Sequence, residues 1–142
     1  MSETAEPAGD SVADAERAIE TCVRRFYEKA RADAMLAHLF VGVADWEWHF
    51  QRIGDFWSKV LLGTTRYSGF PYPVHTHMPV EPEHFIRWVA LFEETARETL
   101  PPELAEAAIQ RANHMSRSFQ AGIFPFVDET GQPSRTPVQR HR

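Results

Sequence analysis

Cysteine, long apolar runs and basic stretches are scarce in this sequence, and each scarcity excludes a class of protein. The chain of 142 residues has a single cysteine, Cys22, so it can form neither an intrachain disulfide nor a cysteine-based zinc site. No apolar run approaches the roughly 20 residues of a membrane-spanning helix. The formal net charge is −5 and no basic stripe stands out, which argues against a nucleic-acid-binding protein.

A secretion signal is also missing from the start of the sequence. Residues 1–16 read MSETAEPAGDSVADAE, without the basic region and apolar run of a signal peptide. We therefore expect a cytoplasmic protein with neither a membrane nor a nucleic acid as its partner.

Chain length and polarity predict one domain between two tails. Residues 1–11 and 126–142 are small, polar or broken by proline, so we expect both segments to be flexible. The domain is then expected over residues 12–125.

Between the tails, apolar residues recur at three- and four-residue steps, and no strand alternation is convincing. Helices are predicted from Ser11 or Asp14 to about Asp33, from Asp45 to Leu62, from about Pro82, and from the PPEL stretch at residues 101–104. Gly63 suits a helix C-terminus and Pro82 a first helical turn. This pattern predicts an all-α domain.

An irregular stretch interrupts the helices. Residues 69–88 read GFPYPVHTHMPVEPEHFIRW. Proline fixes its own φ and pushes the preceding residue towards extended geometry, so this stretch cannot be one long helix. It would hold His75 or His77 in a fixed place, which a metal or a cofactor needs.

Three polar side chains lie in apolar helix faces. His49 precedes Ile53 by one turn; it is either a core histidine with a satisfied hydrogen bond or a polar group facing a cavity. Tyr27 and Trp88 sit among apolar residues, and each carries a donor that needs a partner.

His75 and His77 form a His-x-His pair, which can bind zinc in an extended chain. A third ligand would come from Glu81, Glu83 or His84, although His84 is expected in a first helical turn facing solvent. A small zinc enzyme is therefore one alternative function, and a non-catalytic helical interaction module is another.

Flat apolar side chains are abundant for a domain of this size. A haem needs an apolar slot, an imidazole for the iron and a few polar groups on the open face, and this inventory suits one. The apolar candidates are Phe26, Phe40, Ile53, Phe56, Trp57, Phe85 and Phe92.

Ordered blocks over about residues 15–124 resemble the group III truncated haemoglobins. The blocks are RFYEKA, HLF, WEWHFQRIGDFW, LLG followed by YSGFP, a histidine followed by MP, EHFIRWVALF and the final helix. Like group III members, the chain lacks the paired-glycine motifs of other truncated globins. The resemblance implies a two-over-two helical sandwich that binds haem b.

The resemblance also implies roles for individual residues. His75, between Phe70–Pro71 and Met78–Pro79, would be the proximal iron ligand, and His77 would not bind iron. We expect the second ring nitrogen of His75 to donate to a backbone carbonyl. Phe40, Ile53 and Phe56 would form walls of the haem site.

On the distal side, the resemblance implies that Tyr27, His49 and Trp88 contact O2 or another small ligand such as NO, CO or peroxide. Donors from Tyr27 and Trp88 would slow ligand release. Slow release would suit NO dioxygenation or peroxide reduction, with a reductase as a partner, better than oxygen transport.

Overall fold

A computed structural model describes residues 8–69, 71–72, 75 and 78–138. The described part holds four α-helices, a 3-10 helix and two short strands, so the predicted all-α class is confirmed. They are α1 (Ala8–Ala32), the 3-10 helix (Ala37–Phe40), α2 (Trp46–Leu62), α3 (Pro82–Thr99), α4 (Pro102–Ile123), β1 (Phe126–Val127) and β2 (Pro133–Ser134).

The ends of α2 follow from local chemistry. The Asp45 side chain accepts a hydrogen bond of 3.0 Å from the N–H of Trp48, which caps the first turn. At the other end, Gly63 has a φ of 76° and its N–H donates to the carbonyl of Lys59. Glycine adopts this left-handed conformation without a Cβ penalty. The predicted bounds of this helix are confirmed.

The first helix begins earlier than the sequence pattern predicts. α1 starts at Ala8, inside the segment that we expect to be a flexible tail. The sequence contains no proline from Ala8 to Phe70, so no residue type blocks extension of the helix towards the N-terminus. Residues 1–7 lie outside the described part.

The C-terminal segment also differs from the expected loose tail. β1 and β2 pair antiparallel, with Phe126 opposite Ser134. A carboxylate oxygen of Asp128 accepts hydrogen bonds from the backbone N–H groups of Thr130 and Gln132, both at 2.9 Å. Such side-chain-to-backbone bonds stabilise a turn. Residues 139–142 lie outside the described part, and the predicted domain boundaries stay predictions.

α3 packs against both α4 and α1. α1 also packs against α2, and α2 contacts α4. The main core lies among these helices and includes Ile19, Phe26, Trp57, Phe92 and Ala96.

A second apolar cluster lies where α3, α4 and the chain before α3 meet. Its buried members are Val80, Phe85, Phe119, Ile123 and Phe124.

Within the described residues, no helix has the length and apolar content needed to cross a membrane.

Candidate functional site

A cavity of about 420 Å³ opens between the helices and the segment before α3. The sequence presents this segment as irregular, but the structure is helical at Tyr72 and His75. The volume of the cavity is within the range of small-molecule and cofactor sites. The lining is mostly apolar and includes seven residues to which the sequence analysis assigns roles at a haem site: Tyr27, Phe40, His49, Ile53, Phe56, His75 and Trp88.

His75 is half-buried on the side of the cavity formed by α4 and by the segment that precedes α3. Its ring centroid lies 5.0 Å from that of Phe119 on α4. Its Nδ1 lies 2.7 Å from the carbonyl oxygen of Pro71. Because a carbonyl only accepts, Nδ1 carries the proton and donates it, and the predicted bond to a backbone carbonyl is confirmed.

This bond leaves Nε2 of His75 with a free lone pair, as a metal ligand requires. Burial lowers the pKa of the imidazole, and the hydrogen bond to Pro71 raises it by a smaller amount. The ring is therefore neutral near pH 7.

Tyr27 lies on another wall of the cavity, on α1. Its side chain is buried, with the ring centroid 5.5 Å from that of Phe40 and 5.2 Å from that of His49, both edge-on. Burial raises the pKa of the hydroxyl well above its ordinary value. The hydroxyl therefore stays protonated.

His49 approaches from α2 and is half-buried. Its ring also packs edge-on against Trp46, with 5.4 Å between centroids. Burial lowers the pKa of His49, which favours the neutral imidazole, with one nitrogen as a donor and the other as an acceptor.

Trp88 lines the cavity from α3. Its ring stacks on Phe92 with centroids 5.5 Å apart, and Phe92 in turn stacks on Trp57 of α2 at 4.8 Å. The stack fixes the plane of the Trp88 indole. Three helices thus bring Tyr27, His49 and Trp88 to one cavity.

Comparison with known proteins decides the family. The sequence pattern of the family described as "Bacterial-like globin" matches residues 10–121, most of the chain. The chain belongs to the bacterial-like globin family. It is a haem-binding globin, and the ligands of this family are small diatomic molecules such as O2.

Individual globins similar to this chain belong to one group of the family, the group III truncated hemoglobins. A group 3 truncated hemoglobin of Campylobacter jejuni subsp. jejuni serotype O:2 is 36% identical over 107 residues, which cover 71% of this chain and 84% of that protein. The crystal structure of a group III truncated hemoglobin from Campylobacter jejuni matches with a TM-score of 0.71 and 30% identity, over 87% of this chain and 96% of that one. The predicted resemblance and the truncated-globin fold are confirmed.

The donor set of the globin cavity fits a haem. One wall offers a single imidazole with a free Nε2, and other walls offer three polar side chains among apolar ones. Across the described residues, no group of three or more histidine, cysteine, aspartate or glutamate side chains is placed to hold a metal ion. His77 lies outside the described residues, so the zinc alternative at His75-x-His77 stays a prediction.

Arg52 is a cavity residue with donor groups that the sequence interpretation did not single out. Arg52 follows His49 by three residues, a spacing that places both on one helix face, and this was the signal that could have found it. Its Nη2 donates to the Ser68 carbonyl at 2.6 Å, and its guanidinium lies 4.5 Å from the Tyr67 ring centroid.

His84, expected in a first helical turn facing solvent, lies in that turn, but its side chain is only partly exposed. It is half-buried and lines the cavity. Its Nδ1 accepts the backbone N–H of Glu81 at 2.8 Å, which caps α3. Because Nδ1 accepts, the ring proton of the neutral tautomer is on Nε2. In this tautomer Nε2–H is the remaining donor of a side chain that lines the cavity.

Proposed function

We propose that this globin is a haem b protein in which His75 is the proximal iron ligand. The observation that carries the proposal is the 2.7 Å contact between His75 Nδ1 and the Pro71 carbonyl oxygen. It fixes the tautomer and the ring orientation, and it leaves Nε2 for iron on the wall of an apolar cavity.

Apolar side chains and N–H donors would hold the cofactor. Phe40, Ile53 and Phe56 would pack on the macrocycle. Arg52 and His84 would bind its carboxylates, because both present N–H donors in the same cavity. When bound, haem supplies an iron centre with a coordination position for a diatomic ligand.

Tyr27, His49 and Trp88 would contact that ligand: O2, NO, CO or a peroxide. The Tyr27 hydroxyl and the Trp88 indole N–H would each donate a hydrogen bond to the ligand. Such bonds are strong because little water competes in an apolar cavity. Neutral His49 can donate or accept. Such a set of donors supports slow ligand release, which suits NO dioxygenation or peroxide reduction, supplied with electrons by a reductase, better than oxygen transport.

Substitution of the proximal residue tests the proposal. His75→Ala is expected to abolish stable haem binding, or to leave weak binding that added imidazole restores, because no other described side chain offers the same bonded imidazole on that wall. The measurement is the Soret absorption of purified, haem-supplemented protein, with haem quantified per chain.

His77→Ala is the matched control and should keep the spectrum of the unaltered globin. A normal spectrum for His75→Ala together with haem loss in His77→Ala would move the assignment to His77. Stoichiometric zinc without haem, measured by elemental analysis, would instead favour the zinc alternative.

A further inference from the structure

The segment that carries His75 is short of backbone donors. The sequence places proline at 71, 73 and 79, and proline has no N–H. In the described part of this segment, Met78 N–H donates to the His75 carbonyl at 3.2 Å. The carbonyls of Met78 and Val80 take donors from outside this segment, as buried carbonyls are nearly always paired.

Arg135 supplies those donors from the C-terminal end of the chain. Its Nη2 donates to the carbonyl oxygen of Met78 at 2.9 Å and to that of Val80 at 3.0 Å. One guanidinium nitrogen thus joins two carbonyls on either side of Pro79. Hydrogen bonds from a charged donor are stronger than those from a neutral one.

Packing against buried aromatic and aliphatic residues restrains the Arg135 side chain. Its guanidinium carbon lies 5.4 Å from the centroid of the Phe124 ring. Phe124 and Val80 are 5% and 4% exposed and belong to the same apolar cluster. The cluster also contains Phe119, on which the ring of His75 packs. Arg135 therefore joins the segment that contains His75 to the apolar cluster on which the His75 imidazole packs.

The backbone around Arg135 is also defined. The antiparallel pairing of β1 with β2 ends at Ser134. The Ser134 hydroxyl donates to the Thr136 carbonyl at 3.0 Å, which closes the chain around Arg135. We refer to residues 124–136 as the C-terminal strap. The family match ends at residue 121, so the strap lies beyond the part of the chain that defines the family.

We propose that the C-terminal strap orients the proximal histidine, and that Arg135 is its positioning residue. This inference rests on the proposed role of His75. Each proline removes a backbone donor from this segment, so hydrogen bonds from other elements help to keep it in one conformation. Arg135 acts through the carbonyls of Met78 and Val80, and so sets how firmly the His75 imidazole is presented to the cavity.

The experiment uses the full-length, haem-loaded globin and three variants. Arg135→Gln removes the charge, and the glutamine side chain ends two bonds short of the Nη nitrogens that donate to the carbonyls. Arg135→Lys keeps a charged donor that can reach a carbonyl. Arg111→Gln, at an exposed position on α4, makes the same charge change away from the strap and is the control.

Three measurements are made on each protein. The rate of haem loss to excess apo-globin acceptor reports the hold on the cofactor. The iron–histidine stretching band in resonance Raman spectra reports the geometry of the axial ligand. Hydrogen–deuterium exchange of peptides over residues 71–80 reports the mobility of the segment.

For Arg135→Gln we expect haem loss roughly five- to tenfold faster, the change expected when one hydrogen-bonding group is lost, a shifted or broadened stretching band and faster exchange over residues 71–80. Arg135→Lys should lie close to the unaltered protein, and Arg111→Gln should match it. If Arg135→Gln keeps the normal band and the normal exchange, the inference is overturned, even with faster haem loss, because the strap then only stabilises the fold.

His75→Ala separates this inference from the function on which it rests. If His75→Ala retains the stretching band, the proximal assignment fails and the role of the strap fails with it. If His75→Ala loses the band while Arg135→Gln leaves band and exchange unchanged, the strap inference fails alone.

Discussion

Tyr27 illustrates how burial decides what one side chain can do. Its hydroxyl stays protonated because burial raises its pKa, and its ring is surrounded by aromatic neighbours, with Phe26 at 5.1 Å and Phe40 at 5.5 Å between centroids. A donor in such surroundings meets little competing water. Its hydrogen-bonding capacity is thus available to a ligand in the cavity.

A division of labour among the distal residues follows. Tyr27→Phe and Trp88→Phe each remove one donor, and we expect O2 to dissociate about ten- to a hundredfold faster, equivalent to about 1.5–3 kcal/mol for a hydrogen bond to a charged or polarised group. His49→Leu should mainly change ligand access and protonation. Stopped-flow measurement of O2 release from the ferrous protein checks this.

Tyr67→Phe is the control for this series, because it also removes one phenol hydroxyl from the cavity lining, at a ring that packs on Arg52 and Phe56. It should release O2 at the normal rate. The division is wrong if His49→Leu alone accelerates release while Tyr27→Phe and Trp88→Phe behave like the unaltered protein.

At the scale of the element, α2 contains a glycine in its interior and α4 one in its last turn, and the surroundings of the two differ. A Cβ at Gly54 of α2 would meet no atom within 4 Å, and Gly54 lines a separate cleft of about 290 Å³ between α1 and α2. A Cβ at Gly122 of α4 would lie against the hydroxyl of Tyr72 and 3.0 Å from its ring carbon Cζ. Packing therefore requires glycine at 122 and does not require it at 54.

Alanine at the two positions should have opposite effects. Gly54→Ala is expected to raise the free energy of unfolding by about 0.5–1 kcal/mol, because glycine in a helix interior loses more backbone freedom on folding. Gly122→Ala should lower it by about 1–3 kcal/mol through overpacking, since Tyr72 also packs edge-on against Phe119 at 5.4 Å. Urea unfolding at one pH measures both. Equal stability of the two variants would contradict this account of α4.

At the scale of the whole molecule, buried histidines link folding to pH. Burial lowers the pKa of both His49 and His75, so the unfolded chain takes up protons at a higher pH than the folded one. Above the unfolded pKa of about 6.5, both states are neutral and the histidines add no pH dependence. As the pH falls from there towards the folded pKa, unfolding becomes easier.

We therefore expect the haem-free protein to lose stability as the pH falls below about 6.5, with each histidine adding at most about 1.4 kcal/mol per pH unit to the slope. His49 is only half-buried and should add a fraction of that limit. Urea unfolding between pH 7.5 and 5 should give a shallower slope for His49→Leu. His114→Gln, at an exposed position on α4, should keep the normal slope, and an unchanged slope in His49→Leu would refute the assignment.

The sequence by itself determined the features that depend on neighbours along the chain. Asp45 and Gly63 bound α2 as the pattern predicts, and Pro82 and Pro102 begin α3 and α4. Capping and proline effects act within a few residues, so they can be read locally. The resemblance then supplied the fold and the set of cavity residues, whose individual roles stay predictions.

Only the tertiary structure decided which distant groups meet. Arg135 lies in a segment that the sequence presents as a loose tail. Its side chain donates hydrogen bonds to carbonyls 57 and 55 positions earlier. His84 faces the cavity although its position in a first turn suggested solvent. No local pattern encodes such contacts, because they arise when packed helices bring separate parts of the chain together, and their geometry depends on the whole core.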